Sequence, residues 1–244
     1  WPFNGNANDE SGNSYDGTVY NALLSSDRFG NANNAYSFST SSDSIIVSAS
    51  ILDGLSEFTV SAFFNADPTQ NTYYSSLIRF EEGSESLCLR YWQFTDSFEY
   101  ILVLGSQSAT IDNSSAPFAT PSTGQWHLAT MTYDGATLSA YLDGFLVGSN
   151  SINGAFLSSH INKSICFGNN PASNAQENDY VGSVDDIGIW NRALTECEIQ
   201  DLYNGQLNAA SVDLGADTLG LCAGDSILLD AGAGYDNYNW STGD

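Results

Sequence analysis

The sequence predicts an all-β protein: a two-sheet antiparallel jelly-roll β-sandwich with one short C-terminal helix, followed by part of a second β domain. Three observations carry this expectation. Strand-like segments separated by clusters of Gly, Asn, Asp and Ser recur from Ala35 to Trp190, and helical periodicity is nearly absent there. Between Gly124 and Ser149 three alternating segments are joined by Asp134-Gly135 and Asp143-Gly144, and Asp-Gly supplies the positive φ that tight hairpin turns need. At 244 residues the chain has room for one large β domain and part of another.

Taken in order, the first clear strand signal is Ser44 to Ser48. In Phe58 to Phe64 the residues Phe58, Val60, Ala62 and Phe64 share one face, as an inner strand requires. Ser76 to Phe80, Leu87 to Trp92 and Tyr100 to Leu104 follow. The meander then alternates Trp126, Leu128 and Thr130 against His127, Ala129 and Met131, and Leu138, Ala140 and Leu142 against Ser139 and Tyr141. Ser164 to Gly168 and Gly182 to Trp190 complete a set of roughly ten to fourteen strands, the size of a two-sheet jelly roll. One helix comes after them: Thr195 to Glu198 is a capping box, Leu194 can staple onto Ile199, and Gly205 reads as a left-handed stop.

The pattern Gly-x-Trp-His-x-x-x-x-Tyr-Asp-Gly-x-x-x-x-x-Tyr-x-Asp-Gly, from Gly124 to Gly144, resembles the central signature of laminin-G-like jelly-roll domains. These are relatives of pentraxins within the concanavalin A-like lectin and glucanase superfamily. Trp190 to Thr195 and Glu198 to Tyr203 resemble the closing strand and helix of the same domains. The resemblance spans residues 1–206. Residues 207–217 read as a linker, and 218–244 resemble the opening strands of the immunoglobulin-like or PKD-like repeats of large secreted bacterial proteins. The chain is therefore expected to stop inside its second domain, with further repeats of the same polypeptide beyond it.

Composition narrows the function. Five Lys plus Arg against 29 Asp plus Glu give a net charge of −24, so the surface repels phosphate backbones and anionic headgroups, and neither nucleic-acid binding nor membrane insertion is expected. A chain that starts at Trp1 rather than Met reads as a mature or excised fragment. Low Lys content and abundant Asn, Ser, Thr and Gly suit a secreted or cell-surface protein. The four cysteines lack zinc or thioredoxin-like spacing. Cys88 and Cys166 either bridge two strands or remain two buried thiols. In the repeats that the C-terminal segment resembles, the cysteine at the Cys222 position pairs near the repeat's end, so Cys222 either lacks its partner or reaches back to Cys197.

Glycosidases of this fold carry Glu-x-Asp-x-Glu on one strand, which puts the carboxylates on one face. No segment here has it: Glu81-Glu82-Gly83-Ser84-Glu85 is misspaced, and the side chains of Asp185 and Asp186 point to opposite faces if extended. Neither His127 nor His160 can be assigned a nucleophile elbow or a third partner. Calcium is better supported. Trp1 to Gly17 resembles the opening of laminin-G-like domains, with an Asp-x-Ser-Gly-Asn loop in which Asp9 and Asn13 offer side-chain oxygens and Glu10 and Gly12 offer carbonyls. Asp185 or Asp186 is expected to join Asp9 around one structural Ca²⁺; the competing reading is an Asx-turn whose side chains bond their own backbone.

The pentraxin comparison points to Glu81 to Glu85, with Glu82 and Glu85, and to Asn169, Asn170 and Asp179 as a second ligand site. It departs from that family at Asn169-Asn170-Pro171-Ala172, which lacks the acidic cluster. Tyr73 and Tyr74 are the preferred exposed aromatic pair for a sugar face. Together these features predict a noncatalytic, calcium-stabilised module for carbohydrate or extracellular protein binding or adhesion. The alternative is an accessory domain of a carbohydrate-active enzyme, or a glycoside hydrolase of the same fold.

Overall fold

The computed structural model describes residues 1–68, 75–92, 97–113, 118–169 and 180–207. The chain divides into two compact units, Trp1–Leu207 and Asn208–Asp244. Apart from Leu207, the expected linker lies outside the described residues, as do the repeat-like segment and Cys222. The first unit contains β1 (Thr18–Tyr20), β2 (Leu23–Ser25), β3 (Ala35–Phe38), β4 (Ser44–Ser48), β5 (Phe58–Ala66), β6 (Ser75–Glu82) and β7 (Glu85–Trp92). It continues through β8 (Ser97–Leu104), β9 (Gln107–Asp112), β10 (His127–Tyr133), β11 (Thr137–Leu142), β12 (Phe145–Ser151), β13 (Ser164–Gly168), β14 (Gly182–Trp190) and α1 (Glu196–Leu207). A single 3₁₀ turn, Ala49–Leu52, follows β4.

The strands form two antiparallel seven-stranded sheets, ordered β1-β4-β13-β6-β7-β8-β9 and β12-β11-β10-β5-β14-β3-β2. The inward alternation is the one the residue pattern predicts. Val60, Ala62 and Phe64 of β5 stand opposite Met131, Ala129 and His127 of β10, and Met131 pairs in turn with Ala140 of β11. From the other sheet Ile45, Phe167, Phe80, Leu89, Tyr100 and Ile111 reach the same core, each at most 2 % exposed. Phe64 and Phe98 stack across the sandwich with centroids 5.1 Å apart. Burying a side chain of this size stabilises the fold by about 1.5–3 kcal/mol.

At the Asp143-Gly144 turn both residues have positive φ, 52° and 82°, which matches the strand twist of a two-residue hairpin. The capping box forms reciprocally: Thr195 N donates to Glu198 Oε2 at 2.8 Å and Glu198 N donates to Thr195 Oγ1 at 3.3 Å. Leu194 and Ile199 share a buried cluster with Tyr141. The predicted stop is corrected. The helix continues through Gly205 to Leu207, which costs only about 1 kcal/mol relative to Ala.

The bridge alternative for Cys88 and Cys166 is also settled. Both are buried free thiols. Arg79 pairs with Cys88 on one side and Cys166 on the other, so the two cysteines stand two strand spacings apart, about 9–10 Å, beyond the reach of a disulfide. Burial raises both thiol pKa values, that of Cys166 to about 11.

Candidate functional site

A cleft of about 660 Å³ opens where three distant segments meet: the N-terminal loop, the 3₁₀ turn with the residues just after it, and the second half of β14. Each segment is held by its own chemistry. Trp1 N donates to Ile187 O at 2.8 Å and Ile187 N returns a bond to Trp1 O at 3.1 Å, so the first residue lies against β14. The Trp1 indole donates to Tyr15 O at 2.8 Å and meets Phe167 edge-on at 5.2 Å. Gly17 N closes the loop base on Ala7 O at 2.8 Å. The aromatic walls are Trp1, Tyr15 and Trp190.

The loop carries Asp9, Gly12 and Asn13, and the cleft is lined by Asp9 and Asn13. Asp9 Oδ1 accepts from Ser11 N at 2.8 Å and Oδ2 from Tyr15 N at 2.9 Å. Partial burial works against the charged carboxylate, but these bonds outweigh it and hold the Asp9 pKa below its ordinary value. Asn13 Nδ2 donates to Ser11 Oγ at 2.9 Å, and Gly12 takes the positive φ of the turn, 86°. The loop thus carries the internal side-chain-to-backbone bonds of an Asx-turn.

Across the cleft stands Asp186. Between Asp185 and Gly188 two residues of β14 oppose one of β5, a β-bulge, and Asp186 takes φ 44°. The backbone is therefore not extended at Asp186, the condition on which the two carboxylates were expected to point to opposite faces. Arg28 holds both, Nη1 to Asp185 Oδ2 at 2.7 Å and Nη2 to Asp186 Oδ2 at 2.6 Å. The guanidinium lies between the rings of Phe29 and Phe63, 4.5 and 4.1 Å from their centroids. Burial pushes the Asp185 carboxyl up to about 7; repulsion from Asp186 adds to this and Arg28 opposes it. Asp185 is 2 % exposed and sits behind the cleft, whereas Asp186 lines it.

The third carboxylate, Asp53, has no counterpart among the residues the sequence pattern singles out. Its Oδ1 accepts from His160 N at 2.7 Å and lies 2.6 Å from His160 Nδ1. His160 Nε2 lies 2.9 Å from Glu85 Oε2, and Glu85 Oε1 accepts from Leu157 N at 2.7 Å. His160 packs edge-on against Phe80 at 5.1 Å. Glu85 is therefore corrected from a loop ligand to a buried anchor, 3 % exposed. Among the described residues no three His, Cys, Asp or Glu side chains converge closely enough to hold a metal ion.

Two further predicted positions, Glu82 and Asn169, do not join this cleft. Glu82 pairs with Lys163 at 2.7 Å on the surface. Asn169 is buried, its amide donating to Thr40 O at 2.7 Å and its oxygen accepting from Tyr180 N. Tyr73, Tyr74, Asn170 and Asp179 lie outside the described residues. His127 does acquire partners: Nδ1 lies 2.7 Å from Asp143 Oδ2 and Nε2 lies 3.0 Å from Ser122 Oγ. Asp143 Oδ1 also accepts from Leu128 N at 2.8 Å, so the chain ties the start of β10 to the β11–β12 turn. This gives the Trp-His and Asp-Gly of the signature a shared structural reason.

No curated protein matches the chain in sequence. Among solved structures, domain 4 of an extracellular GH43 arabinanase from Geobacillus stearothermophilus, in complex with arabinotriose, is 17 % identical with a TM-score of 0.62. The match covers 82 % of this chain and 94 % of that one. The receptor binding domain of botulinum neurotoxin D is 24 % identical, TM-score 0.60, covering 82 % and 50 %. The serotype D ligand binding domain in complex with N-acetylneuraminic acid is 22 % identical, TM-score 0.60, covering 82 % and 48 %. The chain spans about half the length of these neurotoxin domains. At such identities the likeness shows the fold. The family assignment comes from the sequence: the laminin-G-like family model described as the concanavalin A-like lectin/glucanases superfamily matches residues 38–200, and the chain belongs to that family.

Proposed function

We propose that the chain is a noncatalytic glycan-binding module of a secreted or cell-surface protein, and that the cleft between the Asp9 loop and the bulge of β14 receives the sugar. The observation that carries this reading is the composition of the cleft. Three aromatic walls, Trp1, Tyr15 and Trp190, surround convergent polar groups from Asp9, Asp53, Asp186 and Asn13. Aromatic faces stack on the apolar face of a sugar while carboxylates and amides take its hydroxyls. The ligands named for two structural neighbours, arabinotriose and N-acetylneuraminic acid, support a glycan as the class of partner. The arabinanase domain, matched over nearly its whole length, favours a place beside a carbohydrate-active enzyme.

A glycan array probed with the full chain, followed by titration of the best ligand, tests this. Binding that Trp190→Ala reduces by tenfold or more, about 1.4 kcal/mol, is the expected result. Absence of binding to any glycan at millimolar concentration would leave a spacer role as the better account.

Calcium is a separate proposal with its own donors. Asp9, Asn13 and the Gly12 carbonyl are hard oxygen ligands of the kind Ca²⁺ takes, and Asp186 faces them across the cleft. Bound at 100 times its dissociation constant, Ca²⁺ would add about 2.7 kcal/mol of stability. Unfolding temperatures in EDTA, in millimolar Ca²⁺ and in Mg²⁺ at matched ionic strength measure this; identical curves in all three remove the ion.

A further inference from the structure

We propose that the cleft selects glycans by charge, taking uncharged oligosaccharides through their hydroxyl groups and rejecting anionic ones such as sialylated or uronate-bearing chains; this rests on the glycan-binding reading above. Two independent observations lead to it. The first is the polarity of the cleft itself. Its charged side chains are Asp9, Asp53 and Asp186, and among the described residues no basic side chain lines it; the Trp1 ammonium, the cation beside these carboxylates, already donates to Ile187 O at 2.8 Å. Ionised carboxylates only accept hydrogen bonds, so the ligand must bring donors. Sugar hydroxyls do so, whereas the carboxylate of an acidic sugar sets acceptor against acceptor and charge against like charge.

The second observation concerns the supply of cations. The chain has five Lys plus Arg. Each is already committed to a carboxylate: Arg28 to Asp185 and Asp186, Arg79 to Glu81, Arg90 to Glu99, Lys163 to Glu82 and Arg192 to Glu198. Recognition of a carboxylate or sulfate ordinarily uses an arginine fork or a lysine ammonium. Recruiting one here would strand its present partner. For Arg28, which already grips the cleft's own Asp186, that would leave two carboxylates unneutralised, one of them buried, at a cost no rim contact offsets.

The cleft carboxylates are also held in place. Asp53 is fixed from behind by His160 and Asp186 by Arg28, and among the described residues no hydrogen bond reaches Asp53 Oδ2 or Asp186 Oδ1. Each thus presents one open acceptor to the cleft with little orientational freedom left to lose. That arrangement favours a hydroxyl donor in a defined direction, and it prevents the carboxylates from swinging away from an approaching anion.

The test is a glycan array, probed with the full chain at low salt, that carries neutral oligosaccharides beside their sialylated and uronate-bearing counterparts. Neutral members are expected to bind, and their anionic counterparts to bind at least about tenfold more weakly, since like-charge juxtaposition suppresses wrong partners. The gap should shrink at roughly 0.5 M NaCl, where screening is short-ranged, and it should also shrink in Asp53→Asn, which keeps the oxygen that His160 needs. Equal or tighter binding of the anionic members at low salt overturns the selectivity while leaving a glycan site in place. A gap that neither salt nor Asp53→Asn moves also overturns it, because the discrimination would then arise elsewhere. Binding of no glycan at all removes both the site and its selectivity.

Discussion

Trp190 can wall the cleft because of the residue two positions before it. A Cβ built on Gly188 would overlap the Trp190 ring, so the indole lies in the space a side chain would take on the same face of β14. Gly188→Ala should therefore displace the ring and destabilise the fold by about 1–3 kcal/mol, the usual cost of overpacking. Urea unfolding and tryptophan fluorescence would register this; an unchanged midpoint would mean that the ring has another resting place. Asp185 yields a pH dependence. Its folded pKa, about 7, lies above the ordinary 3.8. Between these values the folded protein holds a proton that the unfolded chain has lost. The contribution is therefore fully present below about pH 4 and is lost as pH rises through 7, with a slope of at most about 1.4 kcal/mol per pH unit. Asp185→Asn should flatten the stability profile between pH 4 and 7 relative to the native protein. Parallel profiles would exclude Asp185 as the source.

At the level of elements, the Asp53–His160–Glu85 chain fastens the loop after β12 to the start of β7 and to the 3₁₀ turn that forms one wall of the cleft. Replacing His160 by Ala leaves the buried Glu85 Oε2 without its hydrogen-bond partner, and an unsatisfied buried polar group costs about 1–3 kcal/mol, more when it is charged. Urea denaturation of His160→Ala should show that loss, with Asp53→Asn losing less because Asp53 is partly exposed. A change below about 1 kcal/mol, the ceiling for an exposed pair, would reduce the chain to a surface contact. These contacts also mark the limit of what residue patterns convey. β4, β13 and β14 were legible to their end residues because buried apolar side chains mark each of them: Ile45 and Val47, Ile165 and Phe167, Val184 and Ile187. β1 and β2 escaped notice because all or most of their residues face solvent and carry no alternating signal. The Asp9 loop was legible as a local turn motif. Arg28 meets Asp185 across 157 positions and His160 meets Asp53 across 107, separations that leave no spacing to read. The bulge was hidden for a different reason: its positive φ falls on Asp186 rather than on a glycine.

For the molecule as a whole, the balance of charge is the property with the widest consequence. With all five basic side chains already paired, the excess of 24 negative charges has no internal compensation left. Two effects of salt then oppose one another. Screening weakens the exposed ion pairs, Lys163–Glu82, Arg79–Glu81 and Arg192–Glu198, but pairs of this kind contribute only about 0–1 kcal/mol each. Screening also relieves the repulsion among the unpaired carboxylates, which acts over the whole surface at low ionic strength, where the Debye length reaches about 30 Å at 0.01 M. The buried Arg28 pairs are screened far less and should hold. Repulsion therefore outweighs the exposed pairs, and the unfolding temperature should rise between about 0.01 and 0.5 M NaCl. The same rise should appear in KCl, which separates general screening from specific binding of Na⁺. A fall in unfolding temperature over that range would show that the exposed pairs, not the excess charge, dominate the electrostatics of this fold.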